Sequence, residues 1–193
     1  MCKAGDGTGS TTVELKGERT LPVGRDLAWA ALNDVDALKS AVPGCETIVP
    51  AGENAFEVVV NAAIGPVKAR FKGKLQLADV NAPEAYTIRF DRQGGQAGFS
   101  RGEARVRLDA VDANTTQMKY EVDASIGGKL AQIGSRLIDA ASATMADRFF
   151  STFAADLAAK YPPAVGAPAM PLPKVPGFFA TLWAFLKRLF GGR

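Results

Sequence analysis

"VKARFKGKLQL" (67–77) alternates without a break. Val67, Ala69, Phe71, Gly73, Leu75 and Leu77 fall on one side of an extended chain. Lys68, Arg70, Lys72, Lys74 and Gln76 fall on the other. A side-chain period of two with one dry face and one wet face describes a half-buried strand. Such strands belong to antiparallel sheets, whose outer face meets water.

The neighbouring stretches repeat the pattern. "VELKGERTL" (13–21) and "AFEVVVNAAI" (55–64) read as strands, the second closed by Gly65-Pro66. "AYTIRFD" (85–91) turns Tyr86, Ile88 and Phe90 inward. "FSRGEARVRLDAV" (99–111) turns Gly102, Ala104, Val106 and Leu108 inward, and Arg101, Glu103, Arg105 and Arg107 outward. "TQMKYEVDASI" (116–126) buries Met118, Tyr120, Val122, Ala124 and Ile126. Short loops rich in Asn, Gly, Asp and Pro link them, as in a meander.

Two segments break this period. "VGRDLAWAALNDVDALKSAV" (23–42) is helical, and its Asn33-Asp34-Val35-Asp36 cluster divides it into two short helices; Pro43-Gly44 ends the second. After Gly127-Gly128, apolar residues recur at Leu130, Ile133, Leu137, Ala141, Met145, Phe149, Phe153 and Leu157. This spacing predicts one long helix of about 45 Å, stopping before Tyr161-Pro162-Pro163. One strand, two short helices, five meander strands and a long helix make an α+β fold.

If the sheet curls around the long helix, a cavity can lie between them. Gly73, Gly102, Ala69, Ala104 and Ala124 leave volume on the apolar face, provided their large neighbours do not fill it. The expected lining is Phe71, Tyr86, Phe90, Phe99, Met118, Tyr120, Leu130, Leu137, Met145 and Phe149.

Composition narrows the chemistry. The 193 residues are 47% hydrophobic and 22% charged, with a net charge of +3, which suits one globular domain with appendages. There is no His, so imidazole acid–base catalysis, Ser-His pairs and HExxH zinc sites are excluded. Cys2 and Cys45 form no metal-ligand spacing. The outward cations carry no interleaved aromatics, which argues against single-strand nucleic-acid binding. They suit a solvated face, an acidic partner or an anionic lipid surface. Residues 1–12 are small and polar and read as a flexible start. They contain no apolar leader, so the expected compartment is the cytoplasm.

The body spans 13–160. A Pro-rich linker follows at 161–176, then "FFATLWAFLKRLFGGR" (178–193) within a last segment, 177–193. On a helical wheel Phe178, Phe179, Leu182, Trp183, Phe185, Leu186, Leu189 and Phe190 share an arc of about 160°, with Lys187 and Arg188 outside it. The helix is short of the roughly 20 residues a bilayer span needs. An interfacial membrane helix fits best; packing back onto the body, or serving as a handle for a protein partner, are the alternatives.

"AVPGCE" (41–46), "IGPVKARFKGKL" (64–75), "GGKLAQIGSRLI" (127–138) and "RFFSTFAADL" (148–157) are similar in order and spacing to the CoxG-like family of carbon monoxide dehydrogenase subunits. The layout resembles the START-like (SRPBCC) helix-grip fold to which that family belongs. The resemblance covers roughly residues 13–160. It implies a non-catalytic accessory protein, peripheral on the inner face of the cytoplasmic membrane, that holds a molybdenum hydroxylase or CO dehydrogenase-type enzyme there. It implies no covalent cofactor and no metal. A cavity joined to a membrane-lying tail adds the expectation of a bound hydrophobic small molecule, a quinone of the menaquinone or ubiquinone type. A recruitment adaptor with no ligand, and a lipid carrier unrelated to CO oxidation, are the competing readings. A START-like cyclase or hydrolase would have only Tyr86 and Tyr120 as inward acid–base candidates.

Overall fold

A computed structural model describes residues 10–162. Most of the flexible start, the Pro-rich linker and the tail helix expected from the sequence lie outside the described residues. Strand β1 spans Ser10–Leu21, helix α1 Arg25–Leu32 and helix α2 Val35–Ala41. Strands β2 (Cys45–Gly52), β3 (Ala55–Ile64), β4 (Val67–Asn81) and β5 (Ala85–Gln93) follow. A short 3-10 turn, Gly95–Ala97, leads to β6 (Phe99–Asp112) and β7 (Thr115–Gly127). The chain then enters α3 (Lys129–Gln132) and α4 (Ser135–Lys160).

The sheet has seven strands in the order β1-β7-β6-β5-β4-β3-β2. Every pairing is antiparallel. Only β1 leaves the meander, closing the sheet beside β7. Along β4 the even positions from Lys68 to Gln76 are exposed, while Phe71 is buried and Gly73, Leu75 and Leu77 are half-buried. The period-of-two reading therefore assigns the faces of β4 correctly.

The break between α1 and α2 falls where Asp34 acts as an N-cap. Its side chain accepts from the backbone N–H of Asp36 at 3.0 Å and of Ala37 at 3.4 Å. That satisfies donors which the first turn of a helix leaves free.

Three details of the sequence reading change. First, Cys45–Gly52 is an added strand, so the meander has six members rather than five. Its pairing with β3 shifts at Cys45/Thr47 and Pro50/Gly52, which breaks the alternation that would have marked it. Second, the long helix is not continuous. Gly134 has φ +91 and separates α3 from α4; its Cβ position is open space, so backbone conformation and not packing asks for glycine. Third, Leu137 points to solvent, 52% exposed, and Ile138 takes the buried place at 1%. The expected stripe stepped by fours from Leu137 to Leu157. Each such step drifts about 40° on a helix of 3.6 residues per turn, so Leu137 lies about 200° around from Leu157.

Candidate functional site

The interior divides into two packed clusters. One gathers Leu21, Val23, Leu32, Tyr86, Val106, Leu108, Met118, Tyr120, Phe150, Phe153 and Leu157. The other gathers Val13, Phe71, Ala97, Ile126, Leu130 and Ile138. The strands run from one to the other. On β4, Phe71 belongs to the second cluster and Leu77 packs on the first; on β7, Ile126 and Tyr120 divide likewise. Between them lies a belt: Gly73 and Leu75 on β4, Phe90 and Arg92 on β5, Gly102 and Ala104 on β6, and Ala124 on β7. Ala141, Ser142 and Met145 occupy the same level of α4, between Ile138 and Phe150, and are half-buried. Four of the small residues expected to leave interior volume, Gly73, Gly102, Ala104 and Ala124, sit in this belt.

An open cleft of about 670 Å3 crosses the sheet at the same level. Its lining takes Phe56, Leu75, Phe90 and Gly102 from successive strands, which form one register row, together with Ala51, Ala55 and the outward Lys74, Gln76, Arg89, Asp91, Arg101 and Glu103; Gly73, Arg92, Ala104 and Ala124 lie beside it and do not line it. A second open cleft, of about 490 Å3, lies between α2 and α4, lined by Ser40, Pro43, Thr144, Asp147, Arg148 and Ser151 among others.

The ten residues named as cavity lining are dispersed. Phe90 lines the larger cleft. Tyr86, Met118 and Tyr120 are buried in the first cluster, with Phe149 packed against it. Tyr86 meets Trp29 edge-on at 5.3 Å, and Tyr120 stacks on Phe150 at 4.9 Å. Burial pushes the Tyr86 phenol well above its usual range, so it is a neutral packing group. Phe71 and Leu130 belong to the second cluster, Met145 lies at the belt, and Leu137 is exposed. Phe99 is 36% exposed. It lies on the outer parity of β6, where its ring covers Gly127 on the neighbouring strand. The glycine positions are occupied: the Tyr120 ring lies over Gly17 and the Phe71 ring over Gly94, while at Gly73 the Asp91 carbonyl of β5 and at Gly102 the Asp123 carbonyl of β7 stand where a Cβ would go, so these two belt glycines admit close strand approach.

The sequence reading missed Arg92. It ended the strand at Asp91, whereas β5 runs to Gln93. One further step of the alternation Tyr86, Ile88, Phe90 reaches Arg92, which would have disclosed a cation on the inward face.

The outer face is not uniformly basic. Arg105 pairs with Glu103, Glu121 and Asp123, and Arg107 with Asp109. Arg70 is bound by Glu46 at 2.8 and 2.6 Å. Lys68, Lys72 and Lys74 are exposed and have no ion-pair partner among the described residues.

Solved structures similar to this chain carry the same architecture. A conserved protein from Geobacillus kaustophilus superposes with a TM-score of 0.73 at 24% identity, covering 77% of this chain and 97% of its own. The ZhuI aromatase/cyclase from Streptomyces sp. R1128 does so at 0.60 and 14%, covering 81% and 100%. A START superfamily protein from Mycobacterium smegmatis does so at 0.59 and 10%, covering 76% and 98%. At these identities the likeness establishes the fold, which is START-like. No curated protein matches the chain. The family model for the carbon monoxide dehydrogenase subunit CoxG matches residues 17–158. This match takes in almost every described element, both core clusters except Val13, and the belt between them, and the chain therefore belongs to the CoxG family of carbon monoxide dehydrogenase subunits.

Proposed function

We propose that this protein is a non-catalytic accessory subunit that links a CO dehydrogenase-type molybdenum enzyme to the quinone pool of the cytoplasmic membrane. In this reading it stands on the inner face of the membrane and takes a respiratory quinone, menaquinone or ubiquinone, into the belt between its core clusters. The divided core is the observation that carries the proposal. A sheet-and-helix interior of this size would bury more apolar surface by packing continuously. Here it is interrupted by Gly73, Gly102, Ala104 and Ala124 at the level where Phe56, Leu75 and Phe90 line a cleft.

Membership of the CoxG family supports the choice of partner. The sequence of 178–190, apolar on one face with Lys187 and Arg188 off it, supports membrane attachment. Among the described residues no helix is long and apolar enough to cross a bilayer. The two inward tyrosines give the cyclase reading little to work with, because both are packed in the first cluster.

Native mass spectrometry of the full chain purified from quinone-containing cells tests the reading. The expected result is a population carrying the mass of one quinone. Protein free of ligand that also fails to take up decylubiquinone would reduce the function to recruitment alone. Deleting residues 163–193 should move both the protein and its partner enzyme from the membrane fraction to the soluble fraction.

A further inference from the structure

β5 presents Tyr86, Ile88, Phe90 and Arg92 to the interior in turn, and the last of these is a cation where an apolar residue would serve packing better. Its course is specific. A Cβ at Gly73 would stand 2.6 Å from both Arg92 Cγ and the Asp91 carbonyl oxygen, so the bare glycine on β4 admits the close approach of β5 together with the arginine stem. The guanidinium carbon lies 5.2 Å from the centre of the Phe90 ring. The Nε atom is sealed from solvent and has no hydrogen-bond partner. No carboxylate pairs with Arg92 among the described residues. Cys45 is the ionisable group that acts on it, and burial pushes the thiol pKa up, so Cys45 remains neutral and supplies no counter-charge. Lys39, which also acts on Cys45, is a second cation. A guanidinium does not shed its proton to escape this position. Arg92 is half-buried as a residue, and an N–H sealed from water without an acceptor is costly to the fold, so its retention calls for something that binds it.

We propose that Arg92 is the polar anchor of the binding slot, donating to an acceptor oxygen, carbonyl or carboxylate, on the head of a ligand whose apolar body lies along Leu75, Gly102, Ala104 and Ala124. The inference rests on the reading that the belt takes a hydrophobic ligand. Two ligand sources share this chemistry, a quinone and a fatty acid.

Three probes with the same ten-carbon chain separate them: decylubiquinone, decanoate and decylbenzene, titrated calorimetrically into the full chain and into its Arg92→Met variant. The methionine keeps an unbranched stem and removes every donor. The wild type should bind an oxygen-headed probe at least about tenfold more tightly than decylbenzene, the scale of a hydrogen bond from a charged donor. Arg92→Met should abolish that preference and leave decylbenzene binding intact, with a melting temperature equal to or above that of the wild type. A preference for decanoate that depends on Arg92 would support the anchor while removing the quinone. Equal binding of all three probes by the wild type would overturn the anchor and spare the slot. A preference that survives in Arg92→Met, or a lowered melting temperature that shows Arg92 to be part of the packing, would also overturn it. Binding of no probe would overturn the slot and the anchor together.

Discussion

At the scale of single residues, polar groups decide how the first cluster is held. Thr116 is fully buried, and its hydroxyl donates to the Val23 carbonyl at 2.8 Å. This bond ties β7 to the segment leading into α1. Valine has the same shape but leaves the Val23 carbonyl without its partner. Thr116→Val is expected to cost about 1–3 kcal/mol, read as a lower midpoint in urea with an unchanged slope, and Thr116→Ser should recover much of the loss. A midpoint equal to that of the wild type would mean that water replaces the bond. The sequence named Tyr86, Met118 and Tyr120 as inward, and each is buried, because alternation reports which face a side chain takes. It did not report which inward residues pack tightly and which border a gap. That depends on the level at which each strand crosses its neighbours, a register that a single strand's pattern does not contain.

At the scale of elements, the edge of the sheet is braced by side chains across three strands. Glu46 on β2 accepts from Asn61 on β3 at 2.5 Å and from Arg70 on β4 at 2.8 and 2.6 Å. The hydrogen bonds from Arg70 first, then that from Asn61, hold the Glu46 carboxyl below its ordinary 4.5. A carboxylate whose pKa is depressed by folding stabilises the fold above its unfolded value, and that contribution is lost as pH falls through the folded value. Glu46→Gln should therefore be less stable than the wild type near neutrality, and the gap should narrow below about pH 4.5 and close in stronger acid. Asp109, held low by Arg107 and Lys119, adds to the acid sensitivity of the wild type but is common to both proteins. A gap constant from pH 7 to pH 3 would show that the brace acts without its charge. Strand β2 itself was hidden from the sequence by Pro50, Gly52 and its two register shifts.

The helices make the same contrast between what a pattern shows and what a backbone does. The break at Asn33–Asp36 was legible, since a cap residue between two apolar periods is a chemical signal. Asp34 also joins Lys160, near the end of α4, at 3.4 Å. Asp34→Ala should cost about 1 kcal/mol, nearly all of it from the lost cap, because an exposed ion pair contributes little. Lys160→Ala should then be close to neutral in the same denaturant titration; a loss as large as that of Asp34→Ala would put the energy in the pair instead. The break at Gly134 was not legible. The apolar spacing continues across it, and only the positive φ interrupts the helix.

For the whole molecule, the two core clusters among the described residues draw on every strand from β1 to β7 except β2 and on the helices as far as Leu157, so the body is expected to fold without residues 163–193. On the proposed function, membrane attachment would have two separable parts, apolar insertion by the 178–190 sequence and charge on the sheet. The sheet's charge is uneven: acids on β6 and β7 neutralise Arg105 and Arg107, while Lys68, Lys72 and Lys74 stand along one outer row of β4 without ion pairs among the described residues. A lysine near an anionic leaflet contributes up to about 1 kcal/mol, and the attraction fades beyond a Debye length of about 8 Å at physiological salt. If the β4 row faces the membrane, replacing all three lysines by glutamine should lower partition of the full chain onto vesicles with anionic lipid by tens of fold or more, on the order of the summed contribution. Partition onto neutral vesicles should stay the same, and the difference should vanish at high salt. The melting temperature should change little, since the three side chains are exposed and form no ion pair among the described residues, and Lys72 is the weakest of the influences on Glu46. Equal partition of the triple variant and the wild type on anionic vesicles would leave the tail as the whole attachment and turn the β4 row toward an acidic protein instead. Measuring the partner enzyme's affinity for the same variant would then decide whether this face docks the enzyme.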